Sequence, residues 1–391
     1  MQGAADPSNY YREIYARGLA GEKPGLPVSP AELERRATEA MEPRAAAYVA
    51  AGAGTEDTMR ENLEAFRRWR IVPRMLRDVA RRSLATSVLG KELPAPVLLA
   101  PIGVHTIVHP EGELATARAA AALGVPLIVS TAAAHTLEEI AESGGDGPRW
   151  YQLYWPNDPE IAESMVRRAE AAGYTAIVVT LDTFIPGWKP RDLQQAWLPF
   201  LEGVGNANFL QDPVFRAQLD KPPEEDLGTA IGHYLSIYVN PSLSWDDLAR
   251  LRDWTSLPVL VKGILHSDEA REARERGIDG VVVSNHGGRQ VDGAIASLDA
   301  LPGVAEVAGD ELTILLDSGV RSGADVLKAL ALGADAILLG RPYLWGLALG
   351  GQEGVETVLK MLLAELDLTM ALSGYTRPSE LDRSTLARAS G

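Results

Sequence analysis

The sequence predicts an α/β fold, a (β/α)8 TIM barrel with an N-terminal helical extension and a long loop after the fourth strand. Three observations carry this. From about residue 96 one unit, a short apolar run followed by an amphipathic helical stretch, recurs eight times. The runs are nearly continuous in Val, Ile and Leu, as parallel strands buried on both faces require. Each run also ends in polar residues, which is where barrel enzymes carry their reactive groups.

Taken in order, residues 1–95 read as a helical cap packed on the barrel, with AELERRATEAM and TMRENLEAFRRWR as its helices. The barrel spans 96–372. Its eight runs are PVLLAP (96–101), PLIVS (126–130), RWYQLYW (149–155), AIVVTLD (176–182), PVLVKG (258–263), GVVVSN (280–285), TILLDSG (313–319) and AILLGR (336–341). Helices at 111–123, 158–172, 267–276 and 322–332 alternate with them. A doubly wound sheet is the competing architecture, but it uses fewer strands and places its glycine-rich loop after the first one. Here the first run leads into IGVHTIVHPEG, which is no dinucleotide fingerprint. The stretch 183–243 is far longer than a βα loop and reads as an ordered lid or oligomer contact. It carries Trp188, Trp197, Phe200, Phe209 and Phe215 among charges of both signs. Residues 373–391 form a C-terminal tail.

Composition narrows the partners. A formal net charge of −16 argues against nucleic acid or an anionic membrane surface, both of which need a basic face. A negatively charged substrate therefore needs locally placed cations. The absence of cysteine excludes disulfides, thiolate catalysis and Cys-ligated metal, and suits a cytoplasmic location. The first thirty residues contain no apolar core of a signal peptide, and no run of about eighteen apolar residues occurs.

The eight strand ends carry Gly103, Ser130, Tyr154, Asp182, Lys262, His286, Asp317 and Arg341. Singly, an Asp caps a helix and a His fills a core; together on one rim they point to chemistry. DSGVRSGAD (317–325) and LGRPY (339–343) combine small residues and helix starts with Arg321 and Arg341, the makings of a phosphate site. Lys262 could form a Schiff base if deprotonated, or stabilise negative charge on a bound ring if protonated. In VVVSNHGGRQVDG (281–293), His286 precedes Arg289 by three residues, and Asp182 is available to orient the imidazole. A base beside a carboxylate clamp implies proton removal from a small carboxylic acid. HTIVH (105–109) has a metal-like spacing but no carboxylate ligand in its loop, so no metal is expected.

SNHGGRQ on strand six, YQLY on strand three, VTLD on strand four, VKG on strand five and DSGVRSGADVLKALALGA resemble the FMN-dependent L-2-hydroxyacid oxidase family. The likeness runs from AYVAAGAG (47–54) to the last barrel helix. It implies that His286 takes the proton of the substrate 2-hydroxyl as hydride passes to flavin N5, and that Asp182 stabilises the imidazolium. Arg289 and Arg191, with the Tyr48 phenol, would hold the carboxylate, and Tyr154 the hydroxyl. Lys262 would lie against flavin N1 and O2. Ser130, Gln152, Thr180 and Ser284 would hydrogen-bond around the ring, and Pro101, Ile102 and Gly103 would back it. Asp317, Gly319, Arg321, Gly340 and Arg341 would take the ribityl chain and phosphate.

GLAGEKPGLPVS, PRML, LAPIGV, YQLYWP, LDTFIPGWKPRDL and GRPYLWGLALGG are similar to the lactate 2-monooxygenase branch of that family. The branch implies L-lactate and O2 as substrates and a product held long enough for peroxide to decarboxylate it to acetate, CO2 and water. The alternative is an oxidase that releases the 2-oxo acid and H2O2. Several oxidases of the family carry alanine where this chain has Gly103, so extra room beside the flavin is expected there. The resemblance also implies a homo-oligomer, a tetramer or octamer. A non-catalytic barrel that only binds a phosphorylated ligand is the reading from another class, but such a binder needs no base.

Overall fold

The computed structural model describes residues 9–389; residues 1–8 of the cap and 390–391 of the tail lie outside the described residues. Its centre is a closed barrel of eight parallel strands: β1 (Val97–Leu99), β2 (Leu127–Ser130), β3 (Arg149–Leu153), β4 (Ile177–Thr180), β5 (Val259–Ile264), β6 (Gly280–Val283), β7 (Thr313–Leu316) and β8 (Ala336–Leu339). Each pairs with its sequence neighbours, and β8 closes onto β1 through Ile337↔Val97 and Leu339↔Leu99. The runs of Val, Ile and Leu form strands because β-branched side chains suit a pleated surface covered on both faces.

Alternate residues divide between two cores. Leu98, Ile128, Trp150, Val178, Leu260, Val282, Leu315 and Leu338 point into the barrel, whereas Leu99, Val129, Val179, Val261 and Val283 pack against the surrounding helices. Val88 and Leu93, on the hairpin Thr86–Val88 and Lys91–Leu93, join the inner core and plug the barrel at the N-terminal ends of its strands. Each such fully buried aliphatic side chain contributes about 1.5–3 kcal/mol.

The helices at Gly112–Leu123, Pro159–Ala171, Ser267–Glu275 and Gly323–Ala331 fall within one residue of their expected ends. Asp158 and Ser322 start two of them by accepting the first free backbone N–H groups. The expected TMRENLEAFRRWR helix ends early, at Arg67. Trp69–Ile71 instead forms a strand paired antiparallel with Leu386–Arg388, a partner more than 300 residues away that no local periodicity reveals. The C-terminal tail is thereby tied to the cap.

The 183–243 segment is ordered, with helices at Pro190–Gln195, Ala207–Leu210, Pro213–Ala217 and Leu227–Ile237. Phe209, Phe215 and Tyr234 are its buried aromatic core, with Phe209 and Tyr234 ring centres 4.9 Å apart. Asp212 anchors it to the barrel helices by accepting from Arg168 Nη1 at 2.9 Å. Trp188, by contrast, is exposed. Among the described residues, no helix is long and apolar enough to cross a membrane.

Candidate active site

A cavity of about 440 Å³ opens at the C-terminal ends of the strands. Pro101, Ile102 and Gly103 line it after β1, Tyr154 after β3, Lys262 within β5, His286 and Arg289 after β6, Asp317, Gly319 and Arg321 after β7, and Gly340 and Arg341 after β8. Tyr48 reaches it from the helix Pro43–Ala50 of the cap.

The polar groups are tightly ordered. His286 sits in a left-handed turn, φ +58°, followed by Gly287 and Gly288 at +66° and +75°. That conformation is costly for a side-chain-bearing residue and is held by the surrounding hydrogen bonds. His286 N donates to Ser284 Oγ at 3.0 Å and Gly287 N to Ser318 Oγ at 2.9 Å. The turn aims the imidazole at Asp182, whose Oδ1 lies 2.7 Å from His286 Nδ1. Nε2 faces the Tyr154 hydroxyl at 3.4 Å. With Nδ1 donating to the carboxylate, Nε2 is left as the acceptor on the cavity side. Burial opposes ionisation of Asp182, but the charges of His286 and Lys262 outweigh it and hold the carboxyl below its ordinary range.

Lys262 Nζ donates to Ser284 Oγ at 2.8 Å and pairs with Asp317 Oδ2 at 3.1 Å. Burial works against its charge, but Asp317 and Asp182 hold its amino group above the ordinary lysine value. The pair with Asp317 favours the charged amine, which speaks against the Schiff base, since that needs the neutral amine.

Several expected residues stand elsewhere than the sequence suggested. Ser284 does not line the cavity; it is fully buried and positions Lys262 and the His286 turn from behind. Ser130, Gln152 and Thr180 are likewise buried at their strand ends. Ser130 Oγ donates to Gln152 Oε1 at 3.0 Å, leaving Gln152 Nε2 buried with no partner. Gly319 lines the cavity, but its smallness serves packing too: a Cβ there would stand 2.5 Å from the Asn62 carbonyl oxygen. The room expected beside Gly103 is already filled, since a methyl would meet Ala132 O at 2.5 Å.

Arg191 is the clearest correction. It is exposed, and its Nη2 pairs with Glu56 Oε2 at 2.6 Å, away from the cavity. Lys189, two residues earlier, lines the cavity instead. Pro190 starts a short helix immediately after Lys189, and positions two apart at a helix start do not share a face. His105 is a core residue, its Nε2 3.1 Å from Tyr343 Oη and its Nδ1 3.2 Å from Thr116 Oγ1.

Beside Pro186 and Phe200, the lid supplies residues that sequence reading did not name: Leu198, Leu235, Tyr238 and Val239 wall the cavity opposite the strand ends. Tyr238 packs edge-on against Tyr154, with centres 6.0 Å apart. No motif flags them; only the folding of the segment over the barrel mouth brings them in.

At the far end of the cavity two half-buried guanidinium groups have no carboxylate ion-pair partner among the described residues. Arg341 donates to the carbonyls of Val49, Gly287 and Ala51. Burial, with the charges of Arg289 and Arg321, pushes it down to about 9. Arg321 lies over the Trp345 ring at 5.1 Å and is pushed down by burial as well. Such uncompensated charge calls for an anion. Gly340 between them leaves open space where a Cβ would point. A phosphate at this end, a flat ring over Pro101–Gly103 and a hydrogen-bond acceptor for Gln152 Nε2 match the donors on offer. The residues therefore fit FMN.

A barrel with a His–Asp pair, a fixed lysine and a dianion cradle around one cavity is the site of a flavin-binding oxidoreductase. Comparison with known proteins narrows this further. Residues 37–388 match the FMN-dependent dehydrogenase family. The chain is 42% identical to an L-lactate oxidase of Lysinibacillus sphaericus, over 97% of each chain. It is 42% identical to human 2-hydroxyacid oxidase 1, over 87% of this chain and 91% of that one. A crystal structure of mandelate oxidase superposes with a TM-score of 0.83 at 38% identity, covering 94% of this chain and 99% of that one. The chain belongs to the FMN-dependent dehydrogenase family, and its cofactor is FMN.

Proposed function

We propose that this FMN-dependent oxidoreductase oxidises a small L-2-hydroxy acid, L-lactate first among them, with O2, and decarboxylates the product before releasing it. The balanced reaction is lactate and O2 to acetate, CO2 and H2O. The observation that carries the reading is the pairing of His286 with Asp182 at 2.7 Å, its Nε2 in the same cavity as Arg289. When bound, FMN supplies a two-electron acceptor for the substrate α-hydrogen and returns those electrons to O2.

The chain's own groups do the rest. Arg289 and the Tyr48 hydroxyl bind the substrate carboxylate, while the Arg289 donors to the Tyr48 and Ala51 carbonyls keep its guanidinium in place. Tyr154 Oη orients the 2-hydroxyl toward His286 Nε2, which takes its proton. Asp182 stabilises the resulting imidazolium, and Lys262 holds positive charge against the cofactor ring. Arg321, Arg341 and Gly340 bind the phosphate. The L-lactate oxidase and 2-hydroxyacid oxidase names among the relatives support the substrate class.

Retention of the product rests on the lid: Phe200, Leu235 and Tyr238 exclude water from the product and slow its exit. The second reading, an oxidase that releases the 2-oxo acid and H2O2, is favoured by the occupied space beside Gly103. Purified holoenzyme supplied with L-lactate and air separates the two. Acetate formed one for one with lactate consumed supports the first; stoichiometric free pyruvate and peroxide overturn it.

A further inference from the structure

We propose that Glu113 is a positioning residue for the flavin: its buried carboxylate holds the strained turn after β1, and through it the Pro101–Gly103 floor against which FMN packs. This role is independent of which 2-hydroxy acid is oxidised and depends on the ring lying over Pro101–Gly103. Its mark is a backbone outlier. Val104, which follows Gly103 and lines the cavity with it, sits at φ +54° and ψ +37°. A β-branched side chain is crowded there, and such a residue persists only where its surroundings over-determine it.

The restraint comes from both sides of the floor. Before it, Tyr343 Oη donates to the Ala100 carbonyl at 3.0 Å. After it, Val104 N donates to the Ala132 carbonyl at 3.0 Å, and His105 N donates to Glu113 Oε1 at 3.0 Å. The same Oε1 accepts from Ala134 N at 3.0 Å, while Oε2 lies 3.0 Å from His135 Nδ1. One carboxylate thus joins the turn after β1 to the turn after β2, which carries Ala132 at the cavity wall.

Glu113 reaches both turns from the first turn of the helix Gly112–Leu123. Gly112 permits the close approach: at φ +43°, a Cβ there would stand 3.0 Å from Thr106 N. Glu113 is 3% exposed and does not line the cavity, so it takes no part in the proton transfer. Burial opposes its charge, yet the hydrogen bonds from His135, Ala134 and His105, with the nearby His105 ring, outweigh it and keep the carboxyl below its ordinary range. A buried carboxylate with all these donors satisfied acts as a rigid brace; with the donors left unpaired the turn loses what opposes its strain.

The test has three readouts: FMN titration of the apoprotein, visible absorbance and circular dichroism of the bound flavin, and denaturant unfolding of the apoprotein. None uses a substrate, so the result stands apart from the reaction reading. Glu113→Gln keeps one oxygen for both backbone N–H groups, and its FMN Kd should stay within about threefold of the wild type. Glu113→Leu leaves those groups without an acceptor; FMN Kd should rise about tenfold or more, and the flavin bands and dichroism should shift. Should the Leu variant fail to fold, Glu113→Asp, which keeps the charge but withdraws the oxygens by one methylene, should show the same rise. An unchanged FMN Kd and flavin spectrum in a folded Leu or Asp variant, with only the unfolding midpoint lowered, overturns the proposal. So does a Gln variant as impaired in FMN binding as the Leu or Asp one.

Discussion

The two ends of the barrel are built from the same eight strands and obey opposite rules. At the N-terminal end Leu98, Ile128, Trp150, Val178, Leu260 and Val282 pack under the Val88 and Leu93 plug as one apolar cluster. Two residues further along, the same strands deliver Ser130, Gln152, Thr180 and Lys262; Asp317 follows β7, and a histidine in a left-handed turn follows β6. One end has dry packing; the other concentrates buried charge and unpartnered donors. Stability and chemistry have been separated along the strand axis, so mutations at the two ends should fail in different ways.

The largest effect should come from the polar end. His286→Asn is expected to keep FMN and the fold while slowing anaerobic bleaching by L-lactate about 10²- to 10⁴-fold, the range attached to a positioned general base. Stopped-flow absorbance reads it. Next is the dry end: Leu98→Ala should cost about 2–5 kcal/mol in denaturant unfolding, with the bleaching rate of the surviving folded protein little altered. A parallel loss of rate would blur the separation drawn here.

Arg321→Met should weaken FMN retention by about 1.5–3 kcal/mol, seen as flavin lost on dialysis. Asp182→Asn tests the pH side. Because Asp182 is held below the ordinary carboxylate range, its pairing stabilises the fold above that range and is lost as pH falls through the lowered folded value. The variant should therefore show a flatter acid limb in unfolding measurements. The smallest effect belongs to Arg191→Ala: an exposed pair with Glu56 is worth about 0–1 kcal/mol, and kinetic constants should not move.

The eight barrel strands of the dry end were legible from sequence, because uninterrupted Val, Ile and Leu at a repeating spacing allow few other folds; the Val88 and Leu93 hairpin that plugs it was not, since residues 1–95 read as helical. The placement of most strand-end residues at the cavity was legible too, since a motif such as SNHGGRQ marks where a strand ends. What escaped depended on contacts made over long separations. Trp69–Ile71 is a strand only because Leu386–Arg388 lies beside it. Lys189 and Arg191 are two residues apart, and only the helix starting at Pro190 decides which faces inward. Leu235, Tyr238 and Val239 enter the site through the path of the lid, which carries no periodic signal. Ser284 is at the expected strand end but turned behind Lys262, a matter of side-chain direction within one turn.

The account stands on one imidazole acting over a bound flavin. The direct measurement is anaerobic mixing of FMN-loaded wild type and His286→Asn with L-lactate, following the visible flavin absorbance. Rapid bleaching of the wild type, with the variant equally yellow but bleaching orders of magnitude more slowly, is the predicted result. Equal bleaching rates in the two proteins would contradict it.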